Sequence, residues 1–511
     1  MNRGLLTIGR SLAVSAKKFP DKIAIFEEER RISYGNLNAR VNQLARGLQE
    51  LGLSKGEHVA LLFGNSIEHM VALYAVAKLG AVSVGMDIQW KAQEMERALA
   101  FFDCDLLLLE AAYRDSIPLE TALELKRGCF IYGALDPRPF GIYEELVKGQ
   151  SPDEPEERVE DDDLFMIMLT SGTTGIPKGC MIDHKTYALH CINNGVGRGL
   201  DETSRELGVV PIYYNSGRGS LIAHLYFGAA VYLRRRFDPL ETMQLVERER
   251  ITSLALAPTM CYRILQLPHL RSFRTDSIRS LRKAGSPIPR QMVEDLIRRI
   301  TPNIYQSYAT TDTGQMTLLR PEEQLAKLGS SGRPIWGVEL EIVDENRGPV
   351  GPGKVGDIRV RSPLVCQGYY KNPVLQASCF DRGWFYTGDL GRLDGEGYLY
   401  VVGRKKEIIK TGSINVAPKE IEEVLLSQGE IADAAVVGMP DAEWGEAVKA
   451  FVVLKQGCQI SEEKLLAYCK ERLAGYKVPK IVEFIPRLPR SPLGKITVDF
   501  FSGAKSSGEE E

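Results

Sequence analysis

The sequence has few cysteines for its length, and none of them is spaced like a structural pair. The nine cysteines in 511 residues include no Cys-x-x-Cys pair and no Cys/His cluster of the zinc-binding type. This pattern excludes a disulfide scaffold and a zinc-finger domain. An odd number of scattered thiols in a long chain is typical of reduced proteins, so we expect a cytoplasmic location. We interpret Cys180 as a small buried filler.

Long hydrophobic runs and a strong excess of one charge are also missing. No stretch reaches the roughly 20 apolar residues of a membrane-spanning helix, so we expect no integral membrane segment. Arg10 interrupts the apolar residues near the start, which favours an amphipathic helix over a signal peptide. The net charge of −3 argues against general nucleic-acid binding, which requires a basic surface.

The chain does contain the composition and periodicity of a large α/β protein. Its length favours two or more domains. Apolar segments at 22–26, 58–63, 81–85 and 104–109 read as strands, with helical apolar stripes between several of them. We expect a capping box formed by Asn65 and Glu68 at the start of one such helix. The alternation predicts a largely parallel sheet with helices on both faces.

A strand followed by a loop of small and hydroxylated residues is the most informative stretch. Residues 164–169 form an unbroken apolar run, which predicts a buried strand. Glycine allows close approach of the backbone to a ligand, and hydroxyl and N–H donors suit an anion. The pattern does not match a Walker A loop. We predict a polyphosphate site whose contacts are Thr170, Ser171, Gly172, Thr173, Thr174 and Lys178.

This loop resembles the signature loop of the adenylate-forming superfamily, which includes acyl-CoA synthetases, luciferases and peptide-synthetase adenylation domains. Later segments resemble the same superfamily in the same order, so the resemblance covers nearly the whole chain. These segments are 251–260, 280–287, 304–312, 384–389, 403–410 and 488–496.

The resemblance implies roles for residues around ATP. Adenine would lie beside Gly285 and Ser286 and stack on Tyr308, and Gln306 belongs to the same matching segment. Thr311 would bind the α-phosphate and Asp312 would bind Mg²⁺. The ribose hydroxyls would donate to Asp389, and Arg404 would contact ribose or phosphate. Two positions depart from the family pattern, because Ala309 replaces glycine and Asp312 replaces glutamate.

The resemblance also implies a mobile C-terminal domain. Lys495 would be the catalytic lysine that stabilises the charge developing during adenylation. Lys406 would be the pivot about which the domain turns, and Gly412 and Ser413 would line the channel for the thiol acceptor. Ser413 and Ile414 stand where many acyl-CoA synthetases have Gly-Glu.

An acyl pocket is implied around Tyr213, Tyr214 and Arg218. The tyrosines equally suit core packing, with their hydroxyls satisfied inside the protein. An arginine in such a position more often pairs with a local acid. If the three do line a pocket, they favour an aromatic or polar acid over a long aliphatic chain.

We therefore predict an AMP-forming acid–thiol ligase that uses ATP, Mg²⁺ and CoA. The fold class is α/β, with mainly parallel sheets, a β-rich subdomain and a small α+β domain. We predict an N-terminal adenylation domain at 1–403, a hinge at 404–407 and a C-terminal domain at 408–511. The sequence does not specify the oligomeric state, and a homodimer is common in the family that the chain resembles. Two alternatives stay open, namely an enzyme that loads a separate carrier-protein thiol or other acceptor, and a non-catalytic nucleotide-binding relative.

Overall fold

A computed structural model describes residues 4–156, 158–170, 178–283, 290–411, 414–441 and 445–489. Within these ranges, no helix is both long enough and apolar enough to cross a membrane.

The described helices alternate with strands through the first two thirds of the chain. They are α1 (Ile8–Lys18), α2 (Tyr34–Glu50), α3 (Ile67–Lys78), α4 (Ala92–Phe101), α5 (Leu119–Glu124), α6 (Tyr143–Val147), α7 (His184–Arg198), α8 (Asn215–Tyr226), α9 (Pro239–Arg248), α10 (Pro258–Leu265), α11 (Arg290–Arg299), α12 (Pro373–Cys379), α13 (Pro418–Leu426) and α14 (Glu462–Lys470).

The described strands belong to four larger sheets and two two-stranded ladders, β15–β16 and β17–β18. They are β1 (Ile23–Glu27), β2 (Arg30–Ser33), β3 (His58–Leu62), β4 (Val82–Gly85), β5 (Cys104–Glu110), β6 (Cys129–Tyr132), β7 (Gly141–Ile142), β8 (Leu164–Thr170), β9 (Lys178–Asp183), β10 (Arg205–Gly208), β11 (Ala230–Leu233), β12 (Ser253–Leu256), β13 (Ser280–Lys283), β14 (Ile304–Tyr305), β15 (Ala309–Thr310), β16 (Gly314–Gln315), β17 (Thr317–Leu318), β18 (Arg333–Pro334), β19 (Glu339–Val343), β20 (Gly356–Arg361), β21 (Gly368–Tyr369), β22 (Phe380–Asp381), β23 (Trp384–Leu393), β24 (Leu399–Arg404), β25 (Ile409–Thr411), β26 (Ile414–Val416), β27 (Ile431–Asp441), β28 (Gly445–Leu454) and β29 (Ile481–Phe484).

Two mainly parallel sheets dominate the first 310 residues. One has the strand order β21-β9-β8-β4-β3-β5-β6-β7, and the other has the order β14-β13-β12-β10-β11-β1-β2. Antiparallel pairing is confined to β21–β9–β8 in the first sheet and β1–β2 in the second. Strand β3 is buried along its whole length, as expected when helices cover both faces. The α/β class predicted from the alternating pattern is confirmed.

The predicted capping box at Asn65 is wrong by one residue. Helix α3 begins after Ser66, whose hydroxyl accepts a hydrogen bond from the amide of His69. The Asn65 side chain instead connects the two large sheets. It donates to the carbonyls of Gly208, Val210 and Arg234 and accepts from the amide of Ile212; the four contacts measure 2.8–3.4 Å. The Asn65 amide satisfies several buried backbone groups between the two sheets, and Ser66 caps the helix in its place.

The remaining strands form a β-rich region and a separate C-terminal sheet. The β-rich sheet has the order β19-β20-β23-β22, and β24 pairs with β23. The C-terminal sheet has the order β26-β25-β28-β27, and β29 pairs with β28. Its hydrophobic core draws only on residues between Ile409 and Leu488 among those described. This region therefore has the packing of a unit with its own core.

Candidate active site

The predicted polyphosphate loop joins two adjacent strands. Strand β8 pairs in parallel with β4 and antiparallel with β9, and the last pair in the β8–β9 register is Thr170 with Lys178. Ser171, Gly172, Thr173 and Thr174 lie outside the described residues. The strand predicted from the apolar run at 164–169 is present as β8, and its residues 165–168 are buried. The loop therefore begins at Thr170 and ends at Lys178, on two neighbouring strands and at the same end of the first sheet.

The second sheet directs further segments to the carboxyl ends of its strands. Strands β10, β12, β13 and β14 are parallel neighbours, so their carboxyl ends lie together. The described segments that leave these ends include 209–214 and 306–312, which carry predicted acyl-pocket and nucleotide contacts. Ligands of open α/β sheets bind outside the carboxyl ends of the strands. Gly285 and Ser286 lie outside the described residues.

Thr311 and Asp312 occupy the turn of the short β15–β16 hairpin. Both side chains are half-buried, and the turn ends at Gly314, whose φ is +61°. A Cβ at Gly314 would approach the His190 ring to 2.5 Å, which leaves no room for a larger residue. The hairpin is thus held tightly against α7, and the turn presents Thr311 and Asp312 together.

The Asp312 carboxylate is oriented by a hydroxyl and a thiol. Its Oδ1 accepts a hydrogen bond from the Tyr369 hydroxyl at 2.6 Å and another from the Cys180 thiol at 3.2 Å. Within the described residues, Oδ2 has no recorded hydrogen bond. Mg²⁺ in nucleotide sites commonly takes only one or two protein carboxylates plus phosphates and water. One free oxygen on an oriented carboxylate fits that requirement.

Burial perturbs the groups around Asp312. The pKa of Cys180 is raised well above its ordinary value by the neighbouring Cys366 side chain and by burial, with Asp312 adding to the effect. The pKa of Tyr369 is raised mainly by burial and then by the charge of Asp312. Both groups are therefore protonated at neutral pH, and both can donate to the carboxylate.

Three residues predicted to bind the nucleotide come together between the second and third sheets. The Tyr308 hydroxyl donates to Asp389 Oδ2, and Arg404 Nε lies 3.4 Å from Asp389 Oδ1. Asp389 and Arg404 are direct partners across the β23–β24 ladder. Burial and the Asp389 charge raise the pKa of Tyr308 well above its ordinary value. The arrangement combines an aromatic ring with a carboxylate able to accept hydroxyl donors.

Gln306 has a different environment from Tyr308. Its side chain is buried and donates to the carbonyl of Ser330 at 2.9 Å, and its backbone pairs with Leu319. Gln306 thus holds the segment that leads to Tyr308.

Tyr213 and Tyr214 lie at the start of α8, with ring centroids 4.5 Å apart. Tyr213 is buried, and the Tyr214 hydroxyl donates to Asp87 Oδ2 at 2.7 Å. Burial is the main cause of the raised pKa of both tyrosines. The pair forms an aromatic wall next to the carboxyl end of β10.

Arg218 lies on α8 but points toward the protein interior. Its Nη1 donates to the carbonyls of Ile212 and Tyr213, both at 3.3 Å. The guanidinium borders a cavity of about 10 Å³ that is also lined by His69 and Gly85. That volume is about what one water molecule needs. Its Nε has no hydrogen-bond partner among the described residues.

The last predicted residues concern the C-terminal domain. Lys406 is exposed in a short 3₁₀ turn between β24 and β25. Gly412, Ser413 and Lys495 lie outside the described residues.

Sequence reasoning missed the partners that orient these groups. Tyr369 approaches Asp312 because β21 pairs with β9, nearly 190 residues earlier in the chain. Cys366 is held near Asp312 by a main-chain hydrogen bond between the two residues. Asp87 reaches Tyr214 from 127 residues earlier in the chain. No local sequence pattern predicts such pairs. Tyr369 does lie in an aromatic Gly-Tyr-Tyr segment that could have been singled out.

Comparison with known proteins gives consistent matches along the chain. The model of the AMP-binding enzyme family matches residues 12–370, and that of the AMP-binding enzyme C-terminal domain matches residues 420–495. The chain is 33% identical to 2-succinylbenzoate–CoA ligase of Bacillus licheniformis, over 94% of this chain and 96% of the relative. It is 34% identical to feruloyl-CoA synthase of an Amycolatopsis species, over 94% and 95% of the two chains.

A solved structure agrees with these matches. The o-succinylbenzoate CoA synthetase of Bacillus subtilis, in complex with its acyl-adenylate intermediate, superposes with a TM-score of 0.85 and 29% identity. The match covers 98% of this chain and 99% of that one. The chain belongs to the AMP-binding enzyme family, within the adenylate-forming superfamily, and is an AMP-forming acid–CoA ligase.

Proposed function

We propose that this ligase activates an aromatic or polar carboxylic acid, with Tyr213 and Tyr214 as one wall of the acyl pocket. The paired rings at the carboxyl end of β10 support this assignment, because a flat apolar substrate gains most from aromatic faces. The relatives named above act on 2-succinylbenzoate and ferulate, both of which contain aromatic rings. Arg218 is the less direct candidate, since two of its contacts are with backbone carbonyls.

The observation that carries the nucleotide assignment is the cluster of Tyr308, Asp389 and Arg404. Ribose hydroxyls would replace the Tyr308 hydroxyl, or join it, as donors to the Asp389 carboxylate. Arg404 holds the opposite carboxylate oxygen and offers its remaining N–H groups to ribose or phosphate. The ring of Tyr308 is then available to adenine.

The adenylation step needs charge stabilisation at the α-phosphate. The substrate carboxylate attacks this phosphorus in line, and pyrophosphate leaves. Thr311 would donate its hydroxyl to the α-phosphate, and Asp312 Oδ2 would hold Mg²⁺. The cation would neutralise the phosphate oxygens as the bond to pyrophosphate breaks. Lys178 and Lys495 would add fixed positive charge at the loop and from the C-terminal domain.

The thioester step requires the C-terminal domain to reorient. We propose the domain division 1–403, 404–407 and 408–511, with Lys406 as the pivot. The separate core of the C-terminal sheet and the exposure of Lys406 support this division. A Lys419 Nζ to Val401 carbonyl contact at 2.7 Å joins the two sides and would change when the domain turns.

The decisive experiment is pyrophosphate release across a panel of aromatic, polar and aliphatic acids, with and without CoA. An aromatic or polar acid should support release, and CoA should make release catalytic by removing the acyl-adenylate. Activity confined to long aliphatic acids would contradict the pocket assignment. Turnover that is indifferent to CoA would show another acceptor. ATP binding with no release across the panel would contradict the proposed substrate class.

A further inference from the structure

Two thiols and a carboxylate converge behind the proposed magnesium position. The Sγ atoms of Cys180 and Cys366 and an oxygen of Asp312 all lie within 4.8 Å of one another. Both cysteines are buried, at 0% and 3% exposure, and Asp312 is half-buried. Among the described residues, no other group of three potential metal ligands is so close.

Backbone pairing, rather than side-chain flexibility, brings these residues together. Strand β21 pairs antiparallel with β9, with Tyr369 opposite Cys180. Immediately before β21, the amide of Cys366 donates to the backbone carbonyl of Asp312 at 2.7 Å. The three positions therefore lie on three connected segments whose spacing is set by main-chain hydrogen bonds. A ligand could use this arrangement with little loss of conformational entropy.

The distances suit a small tetrahedral cation. Metal–sulfur bonds of about 2.3 Å and metal–oxygen bonds of about 2.1 Å place neighbouring ligand atoms about 3.6–3.8 Å apart. Cys180 Sγ and Asp312 Oδ1 are 3.2 Å apart with a thiol proton between them. The Tyr369 hydroxyl holds the same carboxylate, as outer-shell donors do in metal sites. A small outward movement of the sulfur would open the space for an ion.

We propose that Cys180, Cys366 and Asp312 form a binding site for a thiophilic divalent cation such as Zn²⁺ or Cd²⁺. Two thiolates and one carboxylate select these ions over Mg²⁺, which prefers oxygen ligands. Binding releases one proton from each thiol to solvent. The remaining coordination position would take water.

Occupancy of this site is expected to oppose the ligase reaction. Asp312 Oδ1 would become a ligand to the thiophilic cation, and a second dication at Oδ2 would be repelled at close range. This inhibitory consequence rests on the proposed role of Asp312 in holding Mg²⁺. The binding site itself does not rest on that role, so the two can be tested separately.

Binding is tested with Cd²⁺ alone, without substrates. The protein is fully reduced and then freed of reductant under anaerobic conditions, and its nine thiols are counted after unfolding. Cd²⁺ titration is followed by the ultraviolet charge-transfer absorption of cadmium thiolates. We expect a band that saturates at one equivalent. Absence of a saturating band in protein with all thiols reduced would overturn the proposal.

Single-residue variants identify the side chains that give rise to the cadmium–thiolate absorption band. Cys366→Ser and Cys180→Ser should each weaken Cd²⁺ binding and reduce the band, and either one suffices if the other fails to fold. Cys191→Ser removes a buried thiol outside the cluster and should keep the wild-type titration. Tyr369→Phe should retain the band but lower affinity about 10- to 100-fold, because an outer-shell hydrogen bond is lost. A band unchanged in both cluster cysteine variants would contradict the site.

The activity measurement follows with the full chain. Zn²⁺ at concentrations that fill the site should slow pyrophosphate release by the wild type and by Cys191→Ser, with excess Mg²⁺ present. Cys366→Ser should resist this inhibition relative to its own metal-free rate. Equal inhibition of all three proteins would overturn the inhibitory role. A Cd²⁺ band without any ligase activity would support the site and contradict only the proposed function.

Discussion

At the residue scale, individual side chains were predictable where a motif assigns the chemistry and unpredictable where a distant strand supplies the partner. Asp389 and Arg404 could be named from their sequence context, and the β23–β24 ladder brings them together. The Tyr369 hydroxyl that orients Asp312 could not be named as its partner, because that contact depends on the pairing of β21 with β9. Sequence patterns record local periodicity, and this contact is a tertiary property.

Replacement of Asp389 by asparagine tests the nucleotide cluster. The amide loses the charge that binds hydroxyl donors and pairs with Arg404. Hydrogen bonds to charged groups contribute about 1.5–3 kcal/mol, so the KM for ATP should rise about 10- to 100-fold. Asp381→Asn removes a half-buried partner of the exposed Arg347 and should leave this KM nearly unchanged. Equal KM values for both variants would rule out Asp389 as a nucleotide contact.

Buried histidines predict acid sensitivity. Burial lowers the pKa of His184 to about 4, and its Nδ1 accepts from the Ile8 amide. The pKa of His184 in the folded state lies below the ordinary value of 6.5. The contribution of neutral His184 to the free energy of unfolding is therefore fully present above pH 6.5 and is lost as the pH falls toward 4. The slope is at most about 1.4 kcal/mol per pH unit for this group.

The test compares unfolding of the wild type and His184→Asn by urea between pH 7 and 4.5. Asparagine keeps an acceptor for the Ile8 amide but does not titrate, so its decline in stability with acid should be shallower. Nearby Asp163 and Lys55 also influence this pKa and are present in both proteins. Parallel stability curves would show that His184 does not contribute to the acid sensitivity.

At the scale of elements, the alternating pattern predicted the strands well and one helix start poorly. Strands β3, β4 and β5 appear within a residue of their predicted positions, because continuous apolar runs leave few alternatives. The error at Asn65 has a physical cause. Asn65 and Ser66 are both favourable N-cap residues. Contacts with the second sheet, which the local sequence does not show, occupy the Asn65 side chain and leave Ser66 to cap the helix.

The different roles of Asn65 and Ser66 predict unequal effects when each residue is replaced. Ser66→Ala removes one capping hydrogen bond and should lower the free energy of unfolding by about 1 kcal/mol. Asn65→Ala removes contacts to four backbone groups around β10 and β11, and should cost at least twice as much. Urea unfolding of both variants provides the comparison. A larger loss for Ser66→Ala would contradict the bridging role of Asn65.

At the scale of the whole molecule, the order of motifs predicted the family, and the family matches confirm that prediction. The carboxylic acid was not predictable to the same degree, because pocket shape depends on how separate segments meet. Tyr214 illustrates this, since its hydroxyl is fixed by Asp87 from the other large sheet.

Domain rotation can be tested at the pivot. Lys406→Pro restricts φ and should spare single-turnover pyrophosphate release while abolishing acyl-CoA formation. Lys406→Ala removes the same side chain but keeps backbone freedom, so both steps should survive. The two half-reactions are measured separately with a substrate found in the acid panel. Equal loss of both steps in Lys406→Pro would contradict the pivot assignment.

The position of Arg404 has a thermodynamic consequence for the reaction cycle. Arg404 is the last residue of β24 and pairs with Asp389, while the proposed pivot lies only two residues further along the chain. The proposed nucleotide contact thus lies next to the backbone that is proposed to rotate. Such proximity would link nucleotide affinity to domain orientation, and linkage is reciprocal. We expect bound AMP to bias the domain orientation, and domain orientation to set how readily AMP departs.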